Sequence, residues 1–178
     1  MPGFIYAFPV ENGEVSSTPV VSSPKGLILD FSINFLSRNT ALITDPTFGA
    51  SIVSVGSDLS VTETHHTVIP NQGAACWGAY SPHYDAAYVI DAGQPNITIL
   101  NPQSGEIKGA IQFEAGAMGG FDTVIEKQWM YTLTGTSAIV VINLEADGGR
   151  EEQLFPLAQY GTAGHWQGMG VHSKCAAW

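Results

Sequence analysis

"GAACWGAYSPHYDAAYVIDAGQPNITILNPQSGEIKG", residues 73–109, changes its polarity rhythm three times. Short apolar runs alternate with Pro, Gly, Asn and Asp, the residues that make tight turns, so the stretch reads as strands joined by hairpins. Its last run, "NITIL" at residues 96–100, has counterparts in "SIVSV" at 51–55, "AIVVI" at 138–142 and "FIYAF" at 4–8. Turn signals follow them at Asn12-Gly13, Ser57-Asp58, Ser104-Gly105 and Asp147-Gly148. Ahead of three of the copies stand "ALITD", "AYVID" and "MYTLT". Before those come "LDFSINF", "ACWGAYS" and "GGFDTVI", which put Phe31, Trp77 and Phe121 in equivalent positions. Four strands per unit, at a spacing of roughly 45 residues, is the period of a β-propeller blade. The stretch is therefore one copy of several. The expected fold is all-β, a β-propeller of four-stranded antiparallel blades.

With strands named A to D from the axis outward, the chain opens on C and D of one blade. Three full blades follow across about residues 26–157, and an A-like strand, "HWQGMGVH" at 165–172, comes last. Residues 1–178 thus read as a single propeller domain with a flexible tail at 173–178. The content is about four blades, offset by half a blade. Such an arc closes on itself, or it is half of a larger ring completed by a second chain or an N-terminal half. Open sheet edges invite aggregation, so something must cover them.

Composition agrees with this reading and excludes several functions. Apolar residues make up 44% of 178 and charged residues 12%, with 20 Gly and 10 Pro, a mixture suited to many tight turns and too apolar for disorder. A net charge of -10 with six Lys and Arg cannot build a phosphate-tracking groove or dock on anionic lipid. No apolar run approaches the ~20 residues of a membrane helix. The opening "MPGFIYAFPVENG" lacks a basic n-region and a sustained apolar core, so it does not read as a signal peptide. Asn96-Ile97-Thr98 is a glycosylation sequon at an expected hairpin tip. Cys76, in an apolar strand before Trp77, reads as a buried free thiol, and Cys175 lies in the tail. Two cysteines in such different settings form neither a zinc site nor a disulfide framework, and a single bridge between them is the alternative to two free thiols.

"PGFIYAF…NGEV", "GAACWGAYSP", "YVIDAG" and "WQGMGV", in this order, resemble the second half of fungal secreted proteins of the 3-carboxymuconate-cyclase-like group. These are lactonase-like β-propellers. The group includes cell-surface glycoproteins and the hetero-Diels–Alderases of tropolone sesquiterpenoid biosynthesis. The resemblance implies secretion, a small organic substrate, and a chain that corresponds to the C-terminal half of its relatives. A shared fold does not fix the chemistry.

In a propeller the D–A and B–C loops gather at one mouth of the axial channel. Here the D–A loops are about residues 68–75, 114–120 and 158–165, and the B–C loops about 45–49, 91–95 and 134–137. That mouth would collect Asp45, Asp91, Phe48, Met118, Tyr160, His165, Trp166 and Gln167, with Trp77 on the adjacent A strand. The set is aromatic and apolar with a few polar groups, as in a pocket for a small apolar organic substrate. Glycines 116, 119, 120, 161 and 164 leave room for a ligand or for close backbone approach. His165 and Gln167 are the candidate catalytic donors. Trp166, Trp77, Phe48, Met118, Tyr160, Asp45 and Asp91 are the candidate substrate-binding residues. Asp45 and Asp91 read equally as turn caps, and Trp77 as core packing. His65, His66 and His83 fall away from the channel.

No nucleophile elbow, H-E-x-x-H metal motif or phosphate loop is present in the sequence. Asp45 and Asp91 are a thin set for a metal, so the expectation is catalysis without metal or cofactor. A cyclisation or isomerisation, which needs positioning more than acid–base groups, fits such a mouth. A non-catalytic surface or adhesion propeller is the alternative.

Overall fold

A computed structural model describes residues 3–113, 118–146, 148–161 and 166–172. All regular structure among them is β, in three four-stranded antiparallel sheets and two small hairpins. The first blade is a fragment. Strands β1 (Ile5–Ala7) and β4 (Val20–Ser22) pair with each other, and between them β2 (Val10–Glu11) and β3 (Glu14–Val15) form a hairpin tip. Asn12 and Gly13, both at positive φ, make the tight turn of that tip.

The three full blades follow in sequence order. The second comprises β5 (Ser32–Phe35), β6 (Thr40–Asp45), β7 (Gly49–Val55) and β8 (Val61–Val68). The third comprises β9 (Ala75–Ser81), β10 (Ala86–Asp91), β11 (Asn96–Leu100) and β12 (Ile107–Gln112). The fourth comprises β13 (Gly120–Glu126), β14 (Trp129–Thr134), β15 (Ala138–Asn143) and β16 (Arg150–Pro156). Each blade is an up-and-down meander, and the outermost pair slips register by a bulge in all three: Ile52/Val53, Ile99/Leu100 and Val141/Ile142. A repeated bulge adds the local twist that a radial sheet requires.

Blades stack through their faces. Ile90, Ile97 and Ile111 of the third blade meet Met130, Val140 and Ile142 of the fourth. Leu42 and Ala50 of the second meet Ala87, Val89 and Leu100 of the third. The B and C strands are covered on both faces, which is why they read as unbroken apolar runs while the D strands alternate. Glycines 119 and 120 serve close approach: a Cβ on Gly119 would overlap the backbone oxygen of Asp91, and one on Gly120 the Ile90 side chain.

One expectation is corrected. Residues 166–172 form no strand. An inner A strand is held by the ladder of a neighbouring B strand, and among the described residues no strand pairs with this segment. Among the described residues β1 has β4 as its one strand partner, so residues 166–172 do not add to that sheet.

Candidate functional site

Asp45 and Asp91 end equivalent B strands and do equivalent structural work. Asp45 is fully buried, and its Oδ2 accepts the N–H groups of Ile28 and Leu29 in the loop entering its blade, each at 2.7 Å. Its Oδ1 accepts the N–H and hydroxyl of Thr47 at 2.9 and 2.6 Å. Burial alone would raise its pKa, but the hydrogen bonds from Thr47, Leu29 and Ile28 outweigh it and hold the carboxyl below its ordinary value. Asp91 repeats the pattern, taking Gly73 N–H at 2.6 Å and Ala74 N–H at 2.7 Å from the entering loop, and Gly93 and Gln94 N–H from its own turn. Each carboxylate rivets a B–C turn to the D–A loop beside it. In the fourth blade Thr134 stands in this place, and among the described residues its hydroxyl bonds within its own turn, to Thr136 and the Ala138 carbonyl.

These rivets fix the starts of the A strands, and the A strands carry the axis. Phe31, Trp77 and Phe121, equivalent in the repeat, converge there on a cavity of about 360 Å³ that Cys76, Ala92, Gln167 and Gly168 complete. Phe31 and Trp77 meet edge to face, ring centroids 5.1 Å apart at 86°. The Ser32 hydroxyl bonds that of Thr44 at 2.8 Å, and the Thr44 hydroxyl in turn donates to the Cys76 carbonyl, tying two blades beneath the rings. Asp122 fixes the far wall, its Oδ1 accepting Thr123 N–H at 2.8 Å and its Oδ2 accepting Met169 N–H at 2.6 Å. That second bond draws the C-terminal segment across the axis and brings Gln167 to the cavity.

The structure thus brings Trp77 and Gln167 together, at the end of the channel where the loops were expected to meet. The other candidates sit apart from the cavity wall. Phe48 is half-buried against the core of the second blade and stacks on His66, centroids 4.0 Å apart. Tyr160, largely exposed, stacks on Phe155 at 6.0 Å. Met118 is exposed, its Cβ beside Gly135. Trp166 is half-buried against Gly161, its indole N–H buried without a partner among the described residues. His165 lies outside the described residues, as do Gly116 and Gly164.

Cys76 is free and buried, as its setting implied. Burial, reinforced by the charge of Asp91, pushes its thiol pKa up, so at neutral pH it presents a neutral group to the cavity. Phe31 and Phe121 were recognisable as equivalents of Trp77 but not as partners in one wall. The repeat alone carried that signal: residues at the same place in successive A strands must face the same axis. Among the described residues, no three His, Cys, Asp or Glu side chains gather as a metal-ligand set.

No protein-family description and no curated protein sequence matches the chain. Solved structures do. The periplasmic gluconolactonase of Pseudomonas aeruginosa superposes with a TM-score of 0.62 at 14% identity, covering 91% of this chain and 50% of that one. A functionally unknown protein from Desulfotomaculum acetoxidans gives 0.63 at 14%, covering 83% and 49%. A chain of the nidogen–laminin complex gives 0.59 at 18%, covering 80% and 53%. The fold is that of a β-propeller. The chain spans about half the length of the solved structures it matches.

Proposed function

We propose that the axial cavity binds a small, largely apolar organic molecule and promotes its cyclisation or isomerisation by positioning it, a hetero-Diels–Alder cycloaddition being the most specific form of this reading. The observation that carries it is the wall itself: three aromatic rings from three successive A strands, with one amide donor, Gln167, at the rim. Among the described lining residues there is no carboxylate or imidazole side chain. The lone titratable group, the Cys76 thiol, is held neutral by burial and by Asp91. A pericyclic step asks for no more, because it needs reactants held at attack distance and one hydrogen bond that withdraws electron density.

A second reading, opening of a lactone ring, draws on the likeness to a gluconolactonase. It needs an activated water, for which the described cavity residues supply no evident base. The two separate in one assay. The protein is incubated with a quinone-methide precursor and an alkene, and in parallel with a simple lactone. The expected result is faster cycloadduct formation, with Trp77→Ala and Gln167→Ala slowed, the latter on the order of 10²-fold for loss of a donor in a dry site. His65→Ala, on an exposed outer strand, should match the parent protein. Lactone opening without cycloadduct would replace the proposal with the hydrolase reading. Rates indifferent to Trp77 and Gln167 would leave a non-catalytic binding propeller.

A further inference from the structure

The axial cavity has a geometry and a charge that an apolar lining does not by itself require. The planes of Phe31 and Trp77 stand at 86° with ring centroids 5.1 Å apart, so the two rings form the sides of a corner. Phe121, from the next blade, lines the same cavity as a third ring. A compact cation seated in such a corner meets more than one π face, and each face carries the negative part of the ring quadrupole. The surroundings carry the same sign. None of the described lining residues is basic. Two carboxylates stand behind the wall. Asp91 precedes the lining residue Ala92, and its charge acts on the Cys76 thiol, which also lines the cavity. Oδ2 of Asp122 lies 4.0 Å from where a Cβ on the lining residue Gly168 would stand. Both carboxylates take backbone N–H groups, and neither has a salt-bridge partner among the described residues. Their charge therefore stays uncompensated by any cation of the protein.

We infer that this corner is an aromatic cage for a small organic cation, an alkylated ammonium such as a trimethylammonium group. Methyl groups form the surface of that head, so it suits an apolar wall. Its charge is spread over them and is drawn to the ring faces and to the carboxylates behind. It asks for no hydrogen-bond partner at the wall. A primary ammonium or a guanidinium fits less well, because its N–H groups would lose water without finding acceptors among rings. The amide of Gln167, at the rim, is placed to meet a hydroxyl or carbonyl further along the ligand. A free small molecule is the occupant, since about 360 Å³ falls in the range of small-ligand pockets. The inference rests on the reading of the axial cavity as a small-molecule site, and it gives that molecule a charge that the cyclisation reading leaves open. It does not depend on which reaction follows binding.

Isothermal titration calorimetry on the 178-residue chain tests this with choline and with 3,3-dimethylbutan-1-ol, which puts carbon in place of the ammonium nitrogen at the same shape. The expected result is saturable choline binding about tenfold tighter than that of the neutral alcohol, the preference that a desolvated cation–π contact confers. Trp77→Leu and Phe31→Leu keep apolar bulk and remove a ring. Each should cost choline most of that preference while the alcohol binds as before, and retained alcohol binding shows that the variant has folded. His65→Ala, on an exposed outer strand, should bind both ligands as the parent chain does. Equal binding of alcohol and choline would overturn the cage and leave the neutral-substrate reading standing. A choline preference that survives both leucine variants would overturn it too, since the cation would then sit elsewhere on an acidic surface. Failure of both ligands to bind the parent chain would also overturn it. Cycloadduct formation is assayed separately, so the fate of the cage is distinguishable from that of the proposed chemistry.

Discussion

Asp91 shows how much one side chain organises here. Four backbone N–H groups converge on its carboxylate, two from the entering loop and two from its own turn. Asp91→Asn keeps the shape but removes the charge and turns one of the two acceptor oxygens into an NH2 group that faces an N–H donor. Hydrogen bonds to a charged group contribute about 1.5–3 kcal/mol each, so a net loss of about 2–3 kcal/mol is expected, seen as a fall in Tm of roughly 4–12 °C. An unchanged melting curve would show that the rivet is dispensable. Asp45 predicts the acid limb. Its folded pKa lies below the ordinary carboxylate value, so its contribution is present above the unfolded pKa and lost as pH falls through the folded one. Acid unfolding below about pH 4 should weaken in Asp45→Asn, which has nothing left to lose there. Both residues were visible in the sequence as turn caps or binding groups. Their hydrogen-bond partners in a neighbouring loop were not, because those backbone donors carry no residue-type signal.

At the scale of elements, strand β10 carries a second pH handle. Tyr88 is buried, and desolvation, with a smaller contribution from Tyr84, pushes its hydroxyl pKa up to about 12. The folded state then keeps a proton that the unfolded chain releases near 10, so stability should decline as pH rises from about 10 to about 12. Denaturant titrations at several alkaline pH values check this, with Tyr88→Phe expected to flatten the decline. The blade strands themselves were legible because burial on both faces writes B and C as apolar runs, and Asn12-Gly13 announced its hairpin. The segment at 166–172 misled for a physical reason: its pattern suits an A strand, but a strand forms only beside a partner. The site was legible in part on the same grounds. Trp77 and Gln167 follow from the repeat and from the chain's return to the axis. Phe48 and Tyr160 sit on loops, where periodicity does not say which way a ring points, and each stacks on an outer-strand neighbour instead.

At the scale of the whole molecule the chain is an open arc of three full blades and a half, with an aromatic axis and an uncovered N-terminal end. Stability in such an arc should grade from the middle outward, because stacked blades lend each other buried surface and the end blade has one neighbour. Hydrogen–deuterium exchange on the isolated 178-residue chain tests this most directly. The slowest exchange is expected in β10 of the middle blade, slower-than-average exchange in the buried β6 and β14, and the fastest along β1, β4 and residues 166–172. Protection of β1 equal to that of β10, with residues 166–172 protected alongside it, would mean that the chain closes its own ring and would contradict the account.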